Sequence, residues 1–269
     1  MSESMITDQE FALFQRLIYK IAGISLSEVK KVLLVGRLQK RLRHYNFDTF
    51  SQYYRMLASG NAPEELQMMV DLLTTNETYF FREPKHFDFL RDEILLKWRS
   101  PTTFRVWSAA SSSGEEAYTL AMMLAEHLPN KPWEIVGSDI STRVLEKARR
   151  GHYPLNRIEG IPPKFLNKYC LKGVRSQANT LLISSELRSQ VSFQQVNLTL
   201  PVDRSLGKFE VIFLRNVMIY FDQETKRKVV NNLLPHLAPG GYFIIGHSET
   251  LNGLDVALTA TRPTIYRKA

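Results

Sequence analysis

The chain has 269 residues, 44% of them hydrophobic and 23% charged, which allows one large domain or two and the core of an ordinary globular protein. Cys170 is the single cysteine, so an intrachain disulfide and a thiolate metal cluster are excluded; the six histidines are scattered without paired ligand spacing, so no metal is expected. No apolar run reaches the roughly 20 residues of a membrane span, the start MSESMITDQEF lacks the features of a leader peptide, and a cytoplasmic protein is expected, with a formal charge of +8 that points to an acidic partner.

From Asp8 to about Arg99 the pattern is helical. Thr7-Asp8-Gln9-Glu10 can cap a helix with the apolar stripe Phe11, Phe14, Leu17, Ile18 and Ile21, ended by Gly23. A second helix, 27–45, carries Lys30, Lys31, Arg37, Lys40, Arg41 and Arg43, with no acid between Glu28 and Asp48. Leu34, Leu38, Leu42 and Tyr45 share one face, and Arg37, Lys40, Arg41 and His44 another. Six cations without compensating acids favour a specific acidic partner over a merely solvated face. Two short helices follow at 48–59 and 63–74. Residues 75–84, dense in aromatic and polar side chains and closed by Pro84, read as a linker that can line a pocket or simply pack between domains. Residues 86–98 read as a helix.

Phe104 to Ala121 reads as a strand, a loop of small residues from Ser108 to Gly114, and a helix start, an arrangement that lets a ligand approach backbone N–H groups. Trp133–Gly137 reads as a second strand with Asp139 just past its end, where an acid commonly accepts ribose hydroxyls, and Ser141 or Thr142 caps the next helix. Gly114 is the only glycine of the first loop, so the dinucleotide pattern is absent. Glu115 and Glu116 would repel a pyrophosphate and suit a cationic, hydroxyl-bearing ligand, which favours S-adenosylmethionine over NAD; the alternative is that they only complement the helix dipole.

Residues 151–190 lose the helical rhythm and read as a small insertion with a hairpin and no clear helix. Strands are then expected at 191–196 and 209–214, a helix at 223–237, a strand at 241–245 and a last edge strand at 264–267. Asp139, Asn197, Arg215 and Asn216 all fall at carboxyl ends of predicted strands, where open α/β sheets bind ligands. The expected fold is thus α/β: a helical domain at 1–74, a linker at 75–99 that contributes to the ligand site, and a Rossmann-like domain at 100–269 with a small β-subdomain at about 151–190.

Several runs together, Asn76–Glu83 (NETYFFRE), Ser108–Glu116 with Tyr118, Ser138-Asp-Ile140, Leu145–Ala148 before Gly151-His-Tyr153, Leu214–Phe221 (LRNVMIYF), Pro239–Tyr242 and Gly246–Glu249 (GHSE), resemble the CheR family of bacterial chemotaxis receptor methyltransferases over nearly the whole chain. The resemblance implies an all-helical N-terminal domain and a Rossmann-like methyltransferase domain bearing a β-subdomain. It also implies methylation of glutamate carboxylates on the cytoplasmic helices of chemoreceptors, by a monomer with S-adenosylmethionine as cofactor, S-adenosylhomocysteine as product, no metal, no nucleic acid and no membrane insertion. Asn76, Thr78 and Arg82 would close over the cofactor; Ala110, Glu116 and Asp139 would hold its amino-acid and ribose portions. Asn197 and Leu198 would contact the adenosine end, with Arg215 and Asn216 completing the site. Arg82 and Tyr220 would be the catalytic pair, and Arg37, Lys40 and Arg41 would face the receptor. Ala117 and Thr119 depart mildly from the family's usual proline and serine. The segment Lys172–Ala178 has one glycine where a glycine-rich turn accompanies grip on a receptor's C-terminal tether, so weak or no tether binding is expected. Two other readings compete: an RNA methyltransferase using the same cofactor, and a receptor-binding adaptor without activity.

Overall fold

The computed structural model describes residues 5–269; the first four, part of the start read as lacking a leader, lie outside it. The chain divides into two units, Met1–Thr75 with Tyr220–Lys226, and Asn76–Ile219 with Arg227–Ala269.

The first unit is helical. α1 (Asp8–Ala22) starts at a capping box, in which Thr7 Oγ1 accepts the Glu10 N–H and the Glu10 carboxylate accepts the Thr7 N–H, and it stops at Gly23, whose φ of 67° is open to glycine. A 3-10 turn, Glu28–Lys30, leads into α2 (Lys31–His44), so the helix expected over 27–45 begins one tight turn late. α3 (Phe50–Ala58) and α4 (Pro63–Leu73) follow, the latter with Pro63 in its first turn, where no N–H is needed. Phe11, Phe14 and Ile18 of α1, Leu34, Leu38 and Leu42 of α2, and Phe50, Tyr53 and Leu57 of α3 are buried, each contributing about 1.5–3 kcal/mol as apolar surface leaves water.

Two of the cations of α2, Lys31 and Arg41, have acidic partners, which corrects the expectation of six uncompensated charges. Arg41 forks onto Glu65 of α4 through Nε (2.7 Å) and Nη2 (2.5 Å). Arg37 Nη1 donates to the Leu73 and Thr74 carbonyls (3.0 and 3.1 Å), which the end of α4 leaves without helical partners. Lys31 pairs with Asp8 at 2.5 Å. Lys40 and Arg43 are exposed. The acids responsible come from α1 and α4, so a scan confined to α2 could not see them.

The second unit opens with α5 (Lys85–Phe89), which widens into a π turn at Leu90–Ile94 and tightens at Leu95–Lys97. Then come β1 (Phe104–Ser108), α6 (Glu115–His127), β2 (Trp133–Asp139) and α7 (Thr142–Arg150). The insertion carries β3 (His152–Pro154), α8 (Pro163–Tyr169), β4 (Cys170–Lys172), β5 (Thr180–Ile183) and α9 (Ser185–Arg188). Its strands form a separate antiparallel sheet in the order β3-β5-β4. Contrary to the sequence reading, the insertion does contain helix: the Ile161-Pro162-Pro163 run places Pro163 at the start of α8, where proline's fixed φ favours a helix.

The main sheet resumes with β6 (Val191–Gln195) and β7 (Phe209–Leu214), followed by α10 (Gln223–Leu233), β8 (Leu237–Ile245), β9 (Thr259–Arg262) and β10 (Ile265–Arg267). Its order is β6-β2-β1-β7-β8-β10-β9. The first five are mutually parallel, and β10 and β9 are antiparallel additions. The last strand is therefore not the edge: β10 lies inside β9, whose residues are all exposed and give no apolar alternation to read. Strand order reverses between β1 and β7, which opens a crevice at their carboxyl ends. Among the described residues, no helix is long and apolar enough to cross a membrane.

Candidate functional site

The loop after β1 is held from three sides. Ala109 N–H donates to the Phe213 carbonyl of β7, Ser111 N–H to the Ser138 carbonyl of β2, and the Tyr153 hydroxyl of β3 to the Ser113 carbonyl. Its turn places Ser112 at φ 49° and Gly114 at φ 95°, and a Cβ on Gly114 would come 2.9 Å from Ala148 Cβ and 3.0 Å from the Tyr153 hydroxyl. Small residues are required here because the backbone is squeezed between α7 and the insertion.

Asp139 joins this loop to the next. One carboxylate oxygen accepts the Ser112 N–H and the other the Ser141 N–H, each at 3.0 Å, and Val196 N–H binds the Asp139 carbonyl, bringing in the end of β6. These bonds tie the Asp139 carboxylate to both loops at the carboxyl ends of β1 and β2. Beside it, the hydroxyls of Ser111 and Ser141 are buried without a hydrogen-bond partner among the described residues, a deficit that a polar ligand can relieve.

On the other side of the crevice Arg215, 6% exposed, is a hub. Nη1 donates to Glu116 at 2.9 Å, Nη2 to Glu83 at 2.9 Å and to the Arg82 carbonyl, and Nε to Glu83 at 3.3 Å. The Glu83 carboxylate also accepts Asn216 Nδ2 at 3.1 Å. Burial works to raise the Glu83 carboxyl, but the Arg215 charge and the hydrogen bonds from Asn216 and Arg215 hold it down at about 2. Glu249, also buried, accepts the N–H groups of Asn216, Met218 and Gly246 at 2.7–2.9 Å, shaping the turn that puts Asn216 at φ 58°; burial pushes its carboxyl up against those donors.

The linker crosses the same region. The Asn76 carbonyl accepts Ser112 Oγ, the Phe81 N–H donates to Thr119 Oγ1, and the Thr78 carbonyl accepts Arg157 Nη2. Arg82 is half-buried, donates to the Glu77 carbonyl at 2.9 Å and lies over the Tyr79 ring.

Asn76, Thr78, Arg82, Ala110, Glu116, Asp139, Arg215 and Asn216 thus belong to segments tied together at the carboxyl edge of the sheet. Asn197 and Leu198 follow β6 there: Asn197 Oδ1 accepts Thr199 N–H and Oγ1, and the Leu198 carbonyl accepts Asn232 Nδ2. Tyr220 groups with the helical unit, where its carbonyl accepts the Ser25 N–H, and Arg37, Lys40 and Arg41 lie on α2. The expectation that Glu115 and Glu116 face a ligand as a bare pair needs correction. Glu115 is buried against Arg157 at 2.9 Å, and Glu116 is shared by Ser108 Oγ and Arg215.

No role was read from the sequence for Glu83, Arg157 or Glu249. Glu83 and Glu249 do sit in the runs quoted above, and an acid next to Arg82 or at the end of GHSE was the available signal.

Family comparisons agree with this layout. Residues 9–74 match the CheR methyltransferase all-alpha domain and residues 76–266 the CheR methyltransferase SAM binding domain. The chain is 38% identical over 263 residues to the chemotaxis protein methyltransferase of Escherichia coli, covering 97% of this chain and 91% of that one. It is 39% identical over 266 residues to chemotaxis protein methyltransferase 2 of Pseudomonas aeruginosa (98% and 94% covered). With the chemotaxis protein methyltransferase of Borreliella burgdorferi it shares 38% over 273 residues (98% and 95%). Helical unit and sheet unit both match along nearly their full length, and the chain therefore belongs to the CheR methyltransferase family, the S-adenosylmethionine-dependent methyltransferases of chemotaxis.

Proposed function

We propose that this protein works in the cytoplasm as a monomer and methylates glutamate side chains on the cytoplasmic helices of chemoreceptors, leaving glutamyl methyl esters and S-adenosylhomocysteine. The observation that carries the reading is the Asp139 constellation: a carboxylate that ties two loops together, two unpartnered buried hydroxyls beside it and a tight small-residue loop at the crevice where strand order reverses. This donor set fits S-adenosylmethionine. Asp139 would hold the ribose, Ala110 and Glu116 the amino-acid portion, and Asn197 and Leu198 the adenosine end. Asn76, Thr78 and Arg82 would lie on the covering linker, and Arg215 with Asn216 would fix the floor. When bound, the cofactor supplies an electrophilic methyl group on a sulfonium.

The chain's own contribution is positioning and exclusion of water. A free glutamate has a pKa near 4.3, so the acceptor is ionised at neutral pH and no general base is required. Arg82 would orient that carboxylate without pairing tightly enough to quench it, and the Tyr220 hydroxyl would align it. Arg215, by contrast, is neutralised by Glu83 and Glu116 and acts through them.

The cations of α2 favour protein over RNA as substrate. A phosphate-tracking surface needs several free cations, and here Arg37 and Arg41 brace α2 against α4, while Lys40 and Arg43 face solvent. Receptor contact on this helix is assigned first to Lys40.

The test is transfer of radiolabelled methyl from S-adenosylmethionine to a receptor cytoplasmic fragment, then brief alkali. Label that enters the fragment and leaves as volatile methanol is the expected result. Label entering RNA instead would overturn the substrate assignment.

A further inference from the structure

Glu83, the partner of Arg215, also belongs to a second cluster, whose two histidines have no part in the site described above. Glu83, His86 and His247 each offer a ligand atom, and these atoms lie within 4.8 Å of one another. His86 is 2% exposed. Its Nε2 is 2.8 Å from Thr264 Oγ1, and that hydroxyl also lies 2.6 Å from the Pro263 carbonyl; both contacts are satisfied together when Nε2 carries the ring proton, and we assign the tautomer on that basis. Nδ1 therefore presents a lone pair. It is buried, has no hydrogen-bond partner among the described residues, and faces Glu83 Oε2 at 3.4 Å.

A buried lone pair 3.4 Å from a carboxylate oxygen is an unfavourable pairing that a cation bound between them would relieve. The separation matters too: two ligands on a tetrahedral ion with bonds of about 2.0–2.1 Å sit about 3.3–3.4 Å apart. The supports resemble those of metal ligands. His86 donates its other ring N–H, and Glu83 is oriented by Arg215 and Asn216. The His247 ring is exposed, its centroid lies 4.7 Å from that of His86, and a ring nitrogen falls within 4.8 Å of the other two ligand atoms.

We propose that Glu83, His86 and His247 form a binding site for a divalent transition-metal ion, with zinc the best match. Two imidazoles and one carboxylate suit zinc or cobalt and disfavour magnesium or calcium, which take oxygen ligands. The Arg215 guanidinium on the same carboxylate opposes the ion's charge, so the site is an exchangeable one rather than a structural one. Its consequence is regulatory: an ion on Glu83 competes with Arg215 for the carboxylate that anchors the linker. The expectation of a protein without metal rested on sequence spacing, and His247 lies far along the chain from the other two ligands.

The experiment uses the full chain stripped with a chelator, titrated with zinc by calorimetry and with cobalt by visible absorption. One ion per chain is expected, with the strong visible bands of four-coordinate cobalt and no competition from excess magnesium. His247→Ala, at an exposed position that folding does not need, should lower zinc affinity at least about tenfold, and His86→Phe should abolish the cobalt bands. No saturable binding by the wild type overturns the proposal. So does wild-type affinity in a folded His247→Ala, or an imidazole nitrogen spectrum in which His86 keeps its proton on Nδ1 and ignores zinc.

Discussion

Arg41→Ala separates a receptor-facing cation from one that holds the helical unit together. Glu65 is 5% exposed and takes four hydrogen bonds, from Arg41 Nε (2.7 Å) and Nη2 (2.5 Å), Tyr53 OH (2.6 Å) and Tyr45 OH (3.0 Å). The substitution removes the two charged donors and leaves a buried carboxylate with two phenols. Removing one partner of a buried pair costs about 3–5 kcal/mol; the Arg41 side chain keeps 21% exposure and the tyrosines remain, which lowers the loss to about 2 kcal/mol. With a urea slope of about 2 kcal/mol/M, the helical unit's midpoint should fall by about 1 M. Lys40→Ala, on the exposed side of the same helix, should stay within about 0.5 kcal/mol and weaken receptor binding alone. Circular dichroism against urea gives the first quantity and titration with a receptor fragment the second. An unchanged midpoint in Arg41→Ala, accompanied by lost receptor affinity, would refute the assignment. The pH dependence follows from the same pair. Burial tends to raise the Glu65 carboxyl, but hydrogen bonds from Arg41, Tyr53 and Tyr45 outweigh it and hold it below the usual range. The stabilisation is therefore complete above the unfolded value of about 4.3 and fades as pH falls through the lower folded value; Arg41→Ala should flatten that acid limb.

Asp139→Ala should weaken S-adenosylmethionine binding by about tenfold or more, because ribose contacts and the tie between two loops go together; equal calorimetric affinity in variant and wild type would sink the ribose assignment. Tyr220→Phe should lower turnover while leaving cofactor affinity within about twofold, and a change confined to the receptor KM would instead make Tyr220 a binding residue. Gly137→Ala should destabilise the sheet unit by about 1–3 kcal/mol, since its Cβ would lie 2.5 Å from two Phe193 ring carbons and 3.1 Å from Ser111 Oγ. A thermal melt matching the wild type would show that β2 and β6 can part freely at this point.

Local signals carried most of the secondary structure. The Thr7–Glu10 box, Gly23 and Pro63 set helix ends because capping depends on residues three or four apart. Asp139 and Arg215 could be placed at strand ends for a similar reason: a buried parallel strand is a short apolar run, and the first polar residue after it marks the edge. What escaped depended on partners distant in sequence. The acids that pair with Lys31 and Arg41 belong to α1 and α4, the ion pairs of Glu115 and Glu116 come from residues 157 and 215, and β9 has no apolar face of its own. Proline in the insertion was ambiguous, since the same residue that breaks one helix starts another.

The Arg215 hub also bears on where the catalytic part of the chain can be cut. A fragment beginning at β1 would keep Arg215 and Glu116 but discard Glu83 and the Arg82 carbonyl, stranding three of the buried guanidinium's four hydrogen bonds. A piece that retains every hydrogen-bond partner of that guanidinium must begin at or before Arg82, and the compact second unit itself starts at Asn76. Sequence that looks like a connector between domains is, in covalent terms, the first segment of the enzyme's own core.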